Sequence, residues 1–471
     1  MKAVVIGAGP VGLASAMLLA RDGWEVRVLE KDPAEPPDTA AEMWSAWERP
    51  GVAQFRQPHI MMPRFRQVLD TDLPEVRDSM EELGARRLSL IEVLPRTVAD
   101  RSPRPGDDRF ESLTARRPVV EGAFAHAARR SRGVVIQRGA GVDGLLASDS
   151  APRASVPHVI GVRLSNGEAV RADLVVDTMG RRSKLPEWIV ALGGRRPYEE
   201  ADDAGFAYYA RHFRSRDGSV PDYRGPLGGL FGTFHALTQI ADNNCWTVGL
   251  APMAGDAALK ALRHEEVWNR VAGAIPHVAH WLEGEPISPV LAMAGVLDRY
   301  RRFVIDAEPV VTGVLAVGDS WACTNPTAGR GFSLGMLHAV ALRDVLRGGA
   351  GNPRELALRF DEVTEATLTP WYREQVDRDR QRAAGIRAAL EGVTPAVPDD
   401  PIRQMQAAFV AASAYDPDVA RAFLEVMACL ALPQELMARP GLAEKVIAFA
   451  GAAIPEPQAP TRSEVLQLIA A

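Results

Sequence analysis

The sequence predicts an α/β fold, with a Rossmann-like dinucleotide-binding domain, a second domain built on a β-sheet and a helical C-terminal region. Three observations carry this. Two glycine clusters, within residues 7–12 and 318–335, each follow a short apolar run and lead into a helical pattern. Between them lie segments rich in β-branched and aromatic residues. Beyond Asn352, apolar residues recur at helical spacing.

The first cluster sits in "KAVVIGAGPVGLASAMLLARDGWEVRVLEKD". Ala3 to Ile6 is apolar on successive residues, as a buried parallel strand requires. Gly7, Gly9 and Gly12 stand in G-x-G-x-x-G spacing: the first permits a sharp turn, the second a close pyrophosphate, the third close helix packing. The helix that follows offers free N–H groups and a partial positive charge to an anion. Val26 to Leu29 form the second strand, and Glu30 ends it where a ribose-binding acid is expected. Pro10 and Val11 inside the turn and Lys31 after the acid complete this set of candidate cofactor contacts. The pattern fits FAD and NAD equally, and a βαβ unit with no ligand is the plainer alternative.

The second cluster, "GVLAVGDSWACTNPTAGRGFSLGMLHAVALRDVL", is again strand, loop and helix. Val314 to Val317 read as the strand and Asp319 follows Gly318 at its end. The helix begins near Gly331. Asp319 is suited to accept hydrogen bonds from sugar-like hydroxyls. Gly329, Gly331 and Gly335 leave room for a large planar group against the backbone, and the helix start favours negative charge.

Together the clusters resemble the class A FAD-dependent flavoprotein monooxygenases of the para-hydroxybenzoate hydroxylase type. Gly318, Asp319, Ser320, Pro326, Gly329, Gly331 and Gly335 match that family's G-D-(A/S)-x5-P-x2-G-x-G-x3-G in order. The resemblance implies that the first cluster holds the FAD pyrophosphate and the second its ribityl chain and ring. It makes Phe332 and Ser333 cofactor contacts, and Pro326 a neighbour of the ring where oxygen reacts. "RPGVAQFRQPHIMMPRF" is similar to a G-V-P-Q-x-R-x-x-H segment with Gln54, Arg56 and His59 in register, which makes Arg56 and His59 catalytic candidates. "TARRPVVEGAF" aligns Arg117 with an arginine that often reaches the flavin. "ADLVVDTMGRRSKLPEWI" supplies Gly180 and Ser183, but Met179 replaces the aspartate of the D-G pair, and direct nicotinamide docking is thereby in question. Val142, in "RGAGVDGLL", is a candidate backbone contact beside the adenine.

Each residue also has a plainer reading. Arg117 suits a surface salt bridge, His59 a capped or buried histidine, and Cys323 a small buried hydrophobe. Trp44, Trp47, Met61 and Met62 suit a pocket or ordinary packing. The alternating charges of Arg373 to Arg387 read as a solvated helix face.

The expected organisation is a discontinuous FAD domain (1–75, 111–190, 300–355), a substrate domain (76–110, 191–299) and a C-terminal helical region (356–471). "ARRLSLIEVLPRTV", "FAYYARHFR" and "CWTVGLAP" read as strands of a substrate roof. "VIGVRLSNGEAVRADLVV" reads as a hairpin turning at Asn166-Gly167, and Ser215 to Gly232 as a loop. A chain of 471 residues exceeds one core. The net charge of −6 gives no global field for nucleic acid. Three widely spaced cysteines form no disulfide framework or zinc spacing and suit a reducing cytoplasm. No metal cluster and no membrane-spanning run is evident.

The resemblance implies an FAD-dependent monooxygenase that takes electrons from NADPH, NADH or a separate flavin reductase. It inserts one oxygen atom from O2, through a flavin C4a-hydroperoxide, into a small aromatic, polyketide- or terpenoid-like substrate of secondary metabolism. Hydroxylation and epoxidation stay open. The alternatives are an FAD-dependent reductase or dehydrogenase on the same fold, and a flavin-binding protein without turnover.

Overall fold

Side chains alternate across a strand, and that alternation divides the core of the N-terminal half. In the strand Lys2–Ile6, Ala3 and Val5 face one hydrophobic core while Val4 and Ile6 face another. The computed structural model describes residues 1–148, 156–203, 205–349, 351–393, 400–453 and 458–471. Lys2–Ile6 is the centre of a five-stranded parallel sheet. Its order is Val314–Ala316, Leu174–Asp177, Lys2–Ile6, Glu25–Glu30 and Val134–Arg138. One face carries the helices Pro10–Arg21, Arg117–Arg130 and Gly331–Arg347. The other carries a three-stranded antiparallel sheet (Val142–Ala147, Val159–Leu164, Ala169–Arg171) and the helix Leu185–Ala191. Val76 and Met80 of the helix Pro74–Glu82 also pack in the first of these cores.

The register places Ala316, Asp177, Ile6 and Leu29 level with one another. All four strands therefore end together and release their following loops on one side of the sheet, where open α/β sheets hold ligands.

A second, antiparallel sheet runs Gly228–Phe231, Phe234–Ile240, Cys245–Pro252, Ala207–Arg214 and Glu285–Pro286, with Leu291–Ala294 also paired to Ala207–Arg214. Its odd-numbered residues on Ala207–Arg214, such as Tyr209 and Phe213, join Trp246, Trp268 and Trp281 in a separate core. Its other face turns toward the parallel sheet's loops. A three-stranded sheet of Tyr198–Asp202, Asp298–Arg302 and Ala322–Cys323 links the two.

Two expectations are corrected here and a third is narrowed. Gly228–Phe231, read as loop, is a strand, because pairing with Phe234–Ile240 overrides its glycines. Only Arg86–Ser89 of the segment 85–98 is a strand. The charged stretch of the helix Thr369–Glu391 is solvated on one face only: Arg373, Arg380 and Arg387 are exposed, while Gln375 and Asp379 on the other face are fully buried against the loop before Gly331. The helices Pro401–Ser413 and Pro417–Met427 build a small core of their own around Phe409, Val419 and Val426. No helix among the described residues is long and apolar enough to cross a membrane.

The two glycine clusters meet through one side chain. A Cβ on Gly335 would lie 2.5 Å from Val11 Cγ2, and one on Gly318 3.1 Å from Val11 Cγ1. Val11 thus fills the space left by two absent side chains. Gly335→Ala is expected to cost the apo-protein about 1–3 kcal/mol through overpacking, with most of it restored in Val11→Ala/Gly335→Ala. Urea unfolding of the wild type, both single variants and the double variant measures the coupling.

Candidate active site

The loops at the end of the parallel sheet and the facing antiparallel sheet enclose a cavity of about 600 Å³. Its floor is the first turn. Gly7 takes φ +106°, and a Cβ on Gly12 would fall 2.1 Å from the Gly7 carbonyl oxygen. The helix Pro10–Arg21 therefore starts hard against the strand it follows. Neither it nor the helix Gly331–Arg347 carries a side-chain cap at its N-terminus. The N–H groups of Gly331, Phe332 and Ser333 precede the first bond of their helix, Leu334 N–H to the Arg330 carbonyl. Two partially positive helix ends thus converge on one space. A Cβ at Gly9 or Gly331 would meet nothing within 4 Å, so both turns open toward a ligand.

Glu30 is buried at the end of its strand. It accepts from the Ala8 N–H (2.8 Å) and the Asp32 N–H (3.0 Å), which fixes the turn and the strand end together. The buried Arg49 guanidinium donates to Glu30 (2.7 Å), Glu121 (2.7 Å) and Asp32 (3.2 Å). Burial alone would lower the Arg49 pKa; the carboxylates of Glu121, Glu30 and Asp32 outweigh it and hold the pKa above its ordinary value. Glu121 also accepts from Arg117 (2.6 Å), one helical turn back, and Arg117 bonds His59 Nε2 at 2.7 Å. His59 Nδ1 lies 2.8 Å from the Gln57 carbonyl, which can only accept. Nδ1 therefore carries the proton and Nε2 accepts from Arg117. Burial, and then the Arg117 charge, depress the His59 pKa well below its ordinary value, so the ring is neutral.

Asp319 faces the cavity with no hydrogen bond to the described residues. Burial raises its pKa against the opposing pull of Arg117, Arg181 and Arg299. Asp177, two residues before Met179, is fully buried and accepts from Ser183 Oγ, Ser320 Oγ (3.2 Å) and the Met179 N–H (2.9 Å). It joins the loops after two strands instead of facing the cavity. His338 is fully buried: its Nδ1 accepts from the Gly318 N–H (3.1 Å), and Nε2 meets Thr364 Oγ1 at 3.3 Å. Burial lowers its pKa to about 3, which keeps it a neutral prop under the Gly318-Asp319 turn.

The loop 324–331 is held from outside. Asn325 N–H donates to Asp298 (2.5 Å), and Asn325 Oδ1 accepts from Tyr208. Thr327 Oγ1 donates to Asp379 (2.9 Å). Arg330 turns away from the cavity to Glu374 and to the Val426 carbonyl (2.8 Å).

Gly7, Gly9, Pro10, Val11, Gly12, Glu30, Lys31, His59, Arg117, Val142, Gly180, Asp319, Pro326, Gly329, Gly331 and Phe332 all line this one cavity. Two candidates do not. Ser333 is buried behind the helix start, its hydroxyl unpartnered among the described residues. Arg56 is held by the carbonyls of Trp44 and Trp47 and by Glu48, so it braces the 44–59 segment. Trp47, Met61 and Met62 pack in buried clusters outside the cavity, and Trp44 leans on His212 and donates to the Ile287 carbonyl. Cys323 is buried and its thiol is raised to about 12 by desolvation, with Asp319 adding to the rise. Arg49, Asp32, Glu121, Tyr208 and His235 were not singled out as candidates. Of these, only Glu121 has a local signal, its i,i+4 spacing from Arg117.

These residues fit FAD: two uncapped helix starts for its phosphates and ring, Glu30 at the ribose position, and an unengaged Asp319 for hydroxyls. The fold, a parallel sheet whose loops face an antiparallel sheet, with a helical C-terminal region, is the α/β architecture the sequence predicts. Residues 1–45 match a family model described as an FAD binding domain. Protein Rv3254 of Mycobacterium tuberculosis (strain ATCC 25618 / H37Rv) is 27% identical over 392 residues, 78% of each chain. A flavoprotein/dehydrogenase from Cytophaga hutchinsonii shares the fold with a TM-score of 0.62 at 15% identity, over 95% of this chain and 99% of that one. So does pqsL, a probable FAD-dependent monooxygenase from Pseudomonas aeruginosa, with a TM-score of 0.55 at 17% identity, over 82% and 99%.

Two predictions follow from the charges. Arg49→Gln leaves buried Glu30 and Asp32 without a cation and Glu121 with Arg117 alone, and is expected to cost about 3–5 kcal/mol, measured by urea unfolding. Asp298 is buried, which pushes its pKa up to about 7; Asp379 and Asp202 add to the rise and the Asn325 N–H opposes it. A folded-state pKa above the unfolded value of about 4 means that ionising Asp298 opposes folding. Its penalty grows as pH climbs from about 4 to about 7 and levels off above. Asp298→Asn keeps the acceptor for Asn325, so its gain in melting temperature is expected to rise over that window.

Proposed function

We propose that this protein is an FAD-dependent monooxygenase that inserts one atom of O2 into a small organic substrate by hydroxylation or epoxidation. The observation that carries the reading is the convergence of both glycine clusters on one cavity roofed by a sheet whose cavity-facing side chains are uncharged. Residues 1–75, 111–190 and 300–355 form the cofactor part in this reading, 76–110 and 191–299 the substrate part, and 356–471 a helical brace.

FAD, when bound, supplies the electron transfer to O2 and the reactive oxygen. The protein's residues supply the setting. The N–H groups of Gly9, Val11 and Gly12, Pro10 having none, would meet the pyrophosphate, and Glu30 the ribose. Asp319 takes a ribityl hydroxyl. The donors at Gly331 to Ser333 stabilise negative charge on the reduced ring, with the preorganised logic of an oxyanion hole. His59 has both ring nitrogens engaged, so it orients Arg117 and the Gln57 segment instead of taking a proton. Thr324 and Pro326 present an uncharged surface on the reacting side, and burial excludes water that would consume a reactive intermediate. Met179 in place of the D-G aspartate favours electrons from a partner reductase over direct docking of NADPH or NADH.

A second reading, an FAD-dependent dehydrogenase without oxygen insertion, draws on the similarity to the Cytophaga hutchinsonii flavoprotein/dehydrogenase. The two part on one measurement. FAD-loaded protein, reduced anaerobically by light and mixed with ¹⁸O₂ and candidate ring or alkene substrates, is expected to yield product carrying one ¹⁸O atom. Oxidised product without label, from a substrate that also reduces the flavin, would establish the dehydrogenase.

A further inference from the structure

The antiparallel sheet turns one row-ordered face to the cavity. The register pairs Tyr209 with Leu250 and bridges Phe206 with Met253, so Tyr208 stands level with Ala251. His235 pairs with Ala251 from the other side, and Met293 pairs with Tyr208. One row therefore reads Met293, Tyr208, Ala251, His235. Two residues along, the next reads Leu291, Ala210, Gly249, Leu237. The third, His212, Thr247 and Gln239, is closed by the 56–59 segment: His212 bonds the Arg56 carbonyl (2.9 Å), and Gln239 donates to the His59 carbonyl.

Ala251, Gly249 and Ala210 are small, so they form a floor. Neighbouring strands are about 4.8 Å apart, which sets the Tyr208 and His235 backbones about 10 Å from each other across that floor. The His235 ring leans outward over Gly228, where a Cβ would lie 2.7 Å from its Cε1, and leaves the floor clear. Pro58 caps the Gly249 end at ordinary contact distance. The opening is one ring wide.

Two polar groups look into it. Tyr208 spends its proton on Asn325 Oδ1 and keeps lone pairs free to accept. His235 is half-buried, lines the cavity and has no hydrogen bond to the described residues on either nitrogen. Desolvation, with Arg382 behind it, brings its pKa down to about 3, so it presents one N–H donor and one nitrogen acceptor. Charged residues line the cavity only from segments 30–49, 117–121, 181–184 and position 319; the strands of the sheet contribute none. The charges behind the row, Arg382 and Asp379, hold each other at 3.0 Å. A carboxylate on this floor would be desolvated with no cation to meet it.

We propose that this face is the substrate slot, that it takes a flat, uncharged ring bearing a hydroxyl or enol edge, and that His235 is the residue that reads that edge. The proposal rests on the cavity being the FAD and substrate site described above. It adds the substrate's charge state and a specificity residue.

The test is titration of the FAD-loaded protein at pH 7 with 2-naphthol and, separately, 2-naphthoate, followed by flavin absorbance and calorimetry. 2-Naphthol is expected to bind, and 2-naphthoate at least about tenfold more weakly. His235→Leu is expected to weaken 2-naphthol about tenfold with FAD affinity unchanged, because one hydrogen bond is lost. His235→Gln, which keeps a donor and an acceptor, is expected to stay within about threefold of the wild type. Equal or tighter binding of 2-naphthoate, binding of neither ring, or indifference to His235→Leu would each overturn the slot. Failure of the protein to take up FAD would remove the functional reading instead, and calorimetry on the FAD-free protein would then judge the slot by the same criteria.

Discussion

Val11 seated between Gly318 and Gly335 is the contact on which the rest depends. It brings two helix starts, encoded about three hundred residues apart, into van der Waals contact at the same end of one parallel sheet. Neither start has a side-chain cap, so the packing gathers partial positive charge in one place. The surroundings answer it. Glu30, Asp32 and Glu121 outnumber the two arginines, Arg49 and Arg117, that bind them, so the carboxylate cluster leaves one negative charge beside the turn. A buried network of this kind is costly if any member is lost, and it specifies one arrangement of the segments 30–32, 49 and 117–121.

The opposite wall follows a different rule. Where the parallel sheet's loops concentrate charge, the antiparallel sheet excludes it. Alternation of side chains puts Tyr209, Phe213 and Trp246 into a core with Trp268 and Trp281 of the helical segments that cover them, and leaves small and neutral residues toward the cavity. Between the walls lies the loop 324–331, with one end tied to Asp298 and the other, through Arg330, to Glu374 and Val426. The C-terminal helices thus set the position of a loop whose own sequence, with Gly329 and Gly331, sets little.

The parallel strands, both helix starts and most cofactor contacts were legible because each is local: a glycine spacing, an apolar run, an acid at a strand end. Gly228–Phe231 was not, because two glycines in a four-residue strand leave no alternation to see, and its pairing partner supplies the stability. The buried face of the charged helix Thr369–Glu391 was hidden for a related reason. A buried Asp379 and a solvated one look alike until Thr327, more than fifty residues away, is placed beside it. Arg49 owes its role to three carboxylates scattered from position 30 to 121, which no window along the chain contains. His235 and Tyr208 became visible only when strand register set them in one row.

The strand Leu174–Asp177 is buried along its whole length and lies between Lys2–Ile6 and Val314–Ala316. During synthesis the first neighbour is already made, while the second lies about 140 residues downstream. At ribosomal rates of about 5–20 residues per second, that edge waits roughly seven to thirty seconds for its partner. The whole antiparallel sheet emerges in the interval and has strand edges of its own to offer. A nascent chain of this protein therefore carries an apolar strand with one open edge through more than a quarter of its translation, and its yield in a cell depends on what shields that edge until Val314 leaves the ribosome.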